Sequence, residues 1–403
     1  MPPRGNLTPA MRILHVNDYE QGGGAEVVVA TTIRLLREHG CEVDLFTSDG
    51  RRTLVSYIDS RANRAALRQR LTAFRPQIVH LHNFYHALSP GILATLAAWK
   101  RESGGCVVMT AHDANLICPN PALNHFTGGS RHAVDASRLH SLSYLFTKRW
   151  DNRSLAYAWL KLAQHVWNYR VCDRRRVLDC VLCPSEFLCS VLRDAGLPAT
   201  FLPNPAPNLL KQTIHLPERS QHHQRFVFAG RVEPEKGLAE FLRLLPADFG
   251  GELVVVGEGR ELERVKRVSE DRGLRHVVRC VGRLSHEETI REIAASHVLV
   301  LPTLCFENCP MALLEAIACS TNVLATDQPA TREIVEQCGV GYLFKANDRE
   351  SLAAAMKQIQ HAIESGSINR FDCAAFLESR SEAAYITHVM QHYEAQHQSA
   401  PKT

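Results

Sequence analysis

Short apolar runs, each followed by a turn and a stretch of helical periodicity, recur along this chain in two successive series, and that alternation leaves few folds open. From Arg12 to about Pro205 the runs are MRILHV, CEVDLFTS, QIVHLHN, CVVMTAHD and CVLCPS, and from Arg225 to about Phe371 the pattern repeats. A nearly continuous apolar run is the mark of a parallel strand buried on both faces, so each series predicts a doubly wound α/β half. The chain's 403 residues are ample for two such domains. The expected boundaries are an N-terminal domain over 1–205, a polar connection rich in Gln, His and Pro over 206–224, a second domain over 225–375 and a C-terminal segment over 376–403. A loose tail is expected over the first ten residues.

Composition narrows the setting. A net charge of +4 argues neither for nor against nucleic acid. Thirteen cysteines, an odd number scattered over a long chain, do not read as a disulfide framework and point to a reducing cytoplasm. Cys180 and Cys183 form one CxxC in an apolar context that reads as buried strand rather than a zinc or redox site. No apolar stretch reaches eighteen residues and no leader is evident, so a soluble or peripheral protein is expected.

Two strand-loop-helix segments carry the chemistry. In HVLVLPTLCFENCPMALLEA an apolar run ends at Pro302, and Pro310 suits the first turn of a helix, where its missing N–H costs nothing. Asn308, Cys309, Pro310, Met311 and Ala312 surround that helix start, whose free amides are suited to a phosphate. Glu307 precedes the start and Glu315 lies roughly 7 Å along the helix beyond it. Two carboxylates flanking a phosphate seat suit a nucleotide sugar, although alone such a pair is as readily a solvated helix face. Upstream, RFVFAGRVEPEKGL sets Gly230, Arg231, Lys236 and a second glycine around a turn. Two cations five positions apart can converge on one diphosphate, Arg as a fork and Lys as a point charge. A cationic loop followed by a carboxylate loop is a far less accidental pattern than either alone.

On these residues the chain resembles the retaining glycosyltransferases of family four (glycosyl transferases group 1). GRVEPEKGL and ENCPMALLEA are similar to the family's two donor-site motifs; ELVVVGEGREL and CVGRLSHEE look like the intervening elements. The resemblance covers most of the chain and implies the GT-B fold: two facing Rossmann-like domains with a cleft between them, and a C-terminal helix crossing back to the first domain. It assigns Arg231 and Lys236 to the donor diphosphate, Glu307 to hydroxyls of the transferred sugar and Glu315 to the ribose. Within the first half, the loop after the first strand, NDYEQGGGAEVVV, brings Gly22, Gly23 and Gly24 toward the donor. His112 in MTAHDANLICPN is the residue placed near the transferred sugar. Asp113, and His82 and Asn83 in VHLHNFYHALSP, are expected on the acceptor side; the histidines clustered there, with His80 and His86, read as hydrogen-bonding groups rather than zinc ligands.

The resemblance implies hexosyl transfer with retention, commonly described as front-face attack in which the leaving phosphate takes the acceptor's proton. No cofactor is expected beyond the nucleotide-diphosphate sugar as co-substrate. No metal is expected either, since the chain has no Asp-x-Asp triplet and two cations already neutralise the diphosphate. The ENCP and HDxxxxCP forms lean toward surface polysaccharide biosynthesis on a glycan or lipid-linked acceptor. Two basic stretches, Arg51, Arg52, Arg61, Arg64, Arg68 and Arg70, and then Lys148 to Arg176, carry a second reading. In the latter, Leu155, Trp159, Leu162, Val166 and Tyr169 recur at helical spacing, which fits either a core-facing helix or one resting on an anionic membrane at its inner face. Three alternatives stay open: a nucleotide-sugar epimerase of the same fold, an oxidoreductase suggested by VVVGEGREL, and a non-catalytic basic protein binding membrane or nucleic acid.

Overall fold

Among the described residues, twelve strands form two six-stranded sheets in which every pairing is parallel, and two more form a small hairpin. The computed structural model describes residues 10–48, 53–207, 219, 224–246, 248–368 and 373–399. The chain divides into two compact units, Met1–Pro205 with Glu382–Thr403, and Ala206–Ser381. Each is an α/β domain.

The first sheet is built from β1 (Arg12–Val16), β2 (Glu42–Phe46), β3 (Ile78–Leu81), β4 (Cys106–Thr110), β7 (Cys180–Cys183) and β8 (Ala199–Phe201), in the order β2-β1-β3-β4-β7-β8. The long connection from β4 to β7 carries the antiparallel hairpin β5 (Asn124–Thr127) and β6 (Ser130–Ala133). The second sheet comprises β9 (Arg225–Ala229), β10 (Glu252–Val256), β11 (Val278–Gly282), β12 (Val298–Leu301), β13 (Asn322–Thr326) and β14 (Gly341–Phe344), in the order β11-β10-β9-β12-β13-β14. In this order the chain winds one way from β9 to β11 and the other way from β12 to β14. The loops leaving β9 and β12 therefore diverge at the carboxyl edge, which is where open α/β sheets hold ligands.

The apolar runs are strands because both faces are covered. Phe226, Phe228, Leu253, Val255, Val298 and Val300 enter one core, while Val227, Ala229, Val254, Val256 and Leu299 enter the other. Side chains alternate along a strand, so an uninterrupted apolar run feeds both cores at once. Each such Phe, Leu or Val contributes about 1.5–3 kcal/mol of burial.

The helix Glu382–Ser399 packs on the first unit through Tyr385, Ile386, Val389 and Tyr393, against Ile13, Ile78 and Val108. These positions share one helical face. Tyr385 Oη lies 2.9 Å from Thr32 Oγ1. Residues 1–9, Arg51, Arg52 and most of 206–224 lie outside the described residues. All thirteen cysteines are free. Burial pushes the Cys180 thiol up to about 11 and that of Cys183 higher still.

Candidate functional site

In the second unit the two motifs meet. The loop after β9 turns at Gly230, passes through a single 3-10 turn at Pro234–Lys236 and enters the helix Leu238–Leu244. The loop after β12 runs beside it: the Leu304 amide donates to Glu235 O at 2.8 Å and Thr303 Oγ1 to the same oxygen at 3.1 Å. Gly237 is what permits the approach. Its φ is +69°, and a Cβ there would sit 2.2 Å from Pro302 O. Gly257 and Gly259 have an equally physical reason to be glycine, since Cβ atoms would lie 1.9 Å from Gly230 O and 2.2 Å from Val232 O. VVVGEGREL is thus a packing element beneath the cationic loop, which removes the ground for reading it as a dinucleotide fingerprint.

Lys236 Nζ donates to Glu307 Oε1 at 2.6 Å, joining the cationic and carboxylate loops by an ion pair. Burial alone would lower the Lys236 pKa, but the Glu307 carboxylate more than offsets it, so the value is raised and the ammonium is retained. Arg231 stands exposed, its guanidinium unpaired among the described residues. Pro310 occupies the position just before the helix Met311–Ala318, one residue earlier than the first-turn placement expected from sequence. Leu313 and Leu314 donate to Pro310 O, whereas the Met311 and Ala312 amides have no intrachain acceptor among the described residues. Asn308 is buried and Cys309 half-buried in the bend. Glu315 lies half-buried on this helix, its pKa raised by burial, with His286 Nδ1 3.7 Å from its carboxylate. His286 carries no motif signal in sequence; it opens a helix whose capping box, Ser285 with Glu288, is the local cue.

The first unit arranges different chemistry around β1, β3 and β4. Gly22 to Gly24 lead into the helix Gly24–Glu38, but the Gly23 amide already donates to Glu26 Oε2 at 2.8 Å, capping the helix and leaving that amide unavailable to a phosphate. Asn83 is held through its backbone: its amide donates to Asn17 Oδ1 at 2.9 Å and its carbonyl accepts from Asp18 at 2.6 Å. His112 follows β4, half-buried, with Nε2 3.0 Å from His82 Nδ1. Burial lowers the His112 pKa to about 4 despite the opposing field of Glu26. Asp113 does not partner His112; it accepts from Tyr85 Oη and from the Asn115 amide, and burial raises its pKa to about 6.

His82 departs from its expected place on the acceptor side. The ring is fully buried, and Nε2 lies 3.0 Å from His15 Nδ1 while Nδ1 meets His112. A ring with no exposed surface and both nitrogens engaged cannot contact an acceptor directly. His80 is equally buried, placed between Tyr393 Oη at 2.5 Å and Thr110 Oγ1 at 2.8 Å, and His86 stands apart against Tyr85. Ring nitrogens of His15, His80 and His82 come within 4.8 Å of one another. A metal there would have to break hydrogen bonds already made by His80 and His82. His15 was invisible as a member of this group in sequence; the signal is the β1–β3 register, which pairs His15 with His80.

The basic stretches are largely neutralised. Arg64, Arg68 and Arg70 pair with Asp59, Glu102 and Asp44, and Lys161 and Arg174 with Asp151 and Asp59. The expected helical stripe splits: Leu162 and Tyr169 are core, while Leu155 and Trp159 are 64% and 57% exposed, with Tyr157, Trp167 and Val171 also exposed. No helix among the described residues is long and apolar enough to cross a membrane.

Comparison with known proteins now bears on these loops. Residues 22–206 match the family model Glycosyltransferase Family 4, and residues 215–365 match Glycosyl transferases group 1. The chain is 31% identical over 135 residues to a phosphatidyl-myo-inositol mannosyltransferase of Mycobacterium leprae, covering 32% of this chain and 35% of that one. It is 27% identical over 175 residues to the amylovoran biosynthesis glycosyltransferase of Erwinia amylovora, covering 41% and 43%. The chain thus spans less than half the length of the curated relatives it matches. Among solved structures, sucrose-phosphate synthase from Thermosynechococcus elongatus superposes with a TM-score of 0.68 at 15% identity, over 96% of this chain and 98% of that one. An Anabaena protein, HepE, crystallised with UDP and glucose, superposes at 0.61 with 17% identity, over 96% and 100%. At such identities the likeness is one of fold, the GT-B arrangement of two parallel-sheet α/β domains. With both units matched in chain order, the chain belongs to the family-four glycosyltransferases.

Proposed function

We propose that the chain is a retaining, metal-independent glycosyltransferase that moves a sugar from a nucleotide-diphosphate sugar to a hydroxyl of a glycan or lipid-linked glycan in surface polysaccharide biosynthesis. The observation that carries this reading is the junction of two loops at the divergence of β9 and β12, locked by Gly237 and by the Lys236–Glu307 pair. There a fixed ammonium, a carboxylate and the open amides of Met311 and Ala312 lie on one short length of backbone.

The chemistry follows from charge. As the glycosidic bond breaks, the sugar gains oxocarbenium character and the diphosphate gains negative charge. Arg231, Lys236 and the helix start would stabilise that leaving group, and one such preorganised donor is typically worth about 3 kcal/mol. Lys236 makes one hydrogen bond to Glu307, which leaves ammonium protons for a phosphate oxygen. Glu307 would accept from hydroxyls of the transferred sugar, Glu315 from the ribose, and His112 would bond a sugar hydroxyl. Retention is assigned by resemblance, the departing phosphate taking the acceptor's proton. With two cations on the diphosphate, a divalent ion is not required. The relatives named for amylovoran and for phosphatidyl-myo-inositol support a glycan or lipid-linked acceptor, and HepE's UDP supports the donor class. The exposed Leu155, Tyr157, Trp159, Trp167 and Val171 would rest on an anionic membrane from its cytoplasmic side.

A thermal-shift screen against UDP, GDP and ADP sugars in EDTA, followed by product analysis with the stabilising donor, tests this. Stabilisation by one donor and metal-free transfer with retained configuration are expected. No stabilisation by any nucleotide sugar, or an absolute need for a divalent ion, would sink it. Donor conversion without acceptor would make the protein an epimerase.

A further inference from the structure

We propose that His15 and His82 are positioning residues that hold His112 in its Nδ1–H tautomer, so that His112 meets a ligand as a fixed, uncharged hydrogen-bond donor and never as an acid or base. This rests on the reading of His112 as the group that bonds a sugar hydroxyl. It assigns a role to two buried rings that the transfer chemistry leaves unused.

Three imidazoles stand in file. His15 Nδ1 lies 3.0 Å from His82 Nε2, and His82 Nδ1 lies 3.0 Å from His112 Nε2. The rings stack, with centroids 5.2 Å and 5.3 Å apart and planes within 16° and 21° of parallel. His80 stacks on His82 from the side at 4.4 Å, fixed by Tyr393 and Thr110, so the middle ring has little room to turn. Burial holds His15 at about 3 and His112 at about 4, and lowers His82 well below its ordinary value, so all three are neutral near pH 7.

A neutral imidazole has one N–H and one lone pair, so in a row of three the protons must all point the same way. In one polarity His112 donates inward, His82 donates to His15, and the proton of His15 stands on Nε2. That nitrogen is fully buried and has no partner. In the other polarity His15 donates from Nδ1, His82 donates from Nδ1 to His112, and the orphan at His15 Nε2 is only a lone pair. A buried N–H left without an acceptor is the rarer and costlier defect. The second polarity therefore prevails. His112 accepts at Nε2 and bears its proton on Nδ1, which has no partner among the described residues. Its single lone pair is already used, so it cannot take a proton from a substrate, and the group it suits is an oxygen acting as acceptor.

The test uses full-length protein with 15N-labelled histidine and two-bond 15N–1H spectra, His112 being assigned by the signal lost in His112→Gln. The expected pattern is a protonated Nδ1 and a bare Nε2 on His112, unchanged from pH 5.5 to 8. His15→Leu removes the terminal donor and should move His112 toward the Nε2–H form, with kcat falling about tenfold and donor KM unchanged. His15→Asn, whose side-chain amide reaches where Nδ1 stood, should restore both. An Nε2–H or cationic His112 in the wild type, an unaltered tautomer in folded His15→Leu, or simultaneous shifts of His15, His80 and His82 on adding Zn2+ would overturn the proposal. If His15→Leu does not fold, the wild-type spectrum decides alone. The Nδ1–H signature together with full transfer by His112→Gln would uphold the relay and refute the role of His112 at the sugar.

Discussion

The two units share one plan, six parallel strands with ligand loops at the carboxyl edge, yet they place opposite chemistry there. The second unit carries formal charge on half-exposed loops: Arg231, Lys236, Glu307 and Glu315. The first unit carries neutral imidazoles, His15, His80 and His82, sunk entirely in the core. Charge can be presented where a loop is braced by backbone contacts, as Gly237 and Pro302 are, because water still solvates the heads. Imidazoles can be buried in a sheet because each gives up its charge and keeps its hydrogen bonds. One unit is thus equipped to hold an anion, the other to orient a hydroxyl.

The largest effect should come from Lys236→Ala. It removes a cation from the diphosphate seat and leaves Glu307 without its partner, and kcat/KM should fall by about 10²–10³, or roughly 3–4 kcal/mol. Steady-state nucleotide release measures it, and a loss under threefold would break the contrast.

Acid should strike the imidazole unit. His15, His80 and His82 have folded pKa values depressed by burial, so the stability they contribute is present above about 6.5 and lost as pH falls toward 3. The unfolded chain binds protons that the folded one refuses, and each ring costs about 1.4 kcal/mol by pH 5.5. Denaturant midpoints from pH 7.5 to 5 should decline in the wild type and flatten in His80→Asn. Asp113, raised to about 6 by burial, acts in the same region with the same raised-pKa logic in reverse: its contribution is full below about 4 and lost as pH rises through 6.

The loop junction can be separated from glycine's backbone freedom. Gly237 and Gly273 have φ of +69° and +68°, but only Gly237 would clash with another loop. Gly273→Ala should cost about 1 kcal/mol and Gly237→Ala about 2 kcal/mol more, with weakened nucleotide binding in the latter alone. Equal costs by chemical denaturation would show that the close approach to Pro302 does not matter. The smallest effect on stability is expected for Trp159→Ser, within about 0.5 kcal/mol, while sedimentation with anionic liposomes should weaken severalfold.

What sequence disclosed follows the same division. The α/β class was legible because strands buried on both faces read as unbroken apolar runs, and the cationic and carboxylate loops were legible because each is contiguous. Their joining was not, since Gly237 against Pro302 and Lys236 against Glu307 depend on β9 and β12 being neighbours. The histidine file was hidden for the same reason: His15, His82 and His112 sit on three connections and meet only through sheet order and register. His82 looked like a loop group when it is core, because a histidine next to apolar residues has no local mark of whether its nitrogens are satisfied. The stripe from Leu155 to Tyr169 misled by period alone, as the chain tightens into a different helical winding at Trp167–Val171 and turns its faces.

The central claim is that the second unit's cations hold the donor diphosphate, and calorimetric titration of the donor chosen by the screen tests it most directly. Wild-type protein should bind in EDTA, and Arg231→Ala with Lys236→Ala should raise Kd by at least a hundredfold while His112→Gln changes it far less. Equal affinity in the wild type and the double variant would contradict the account.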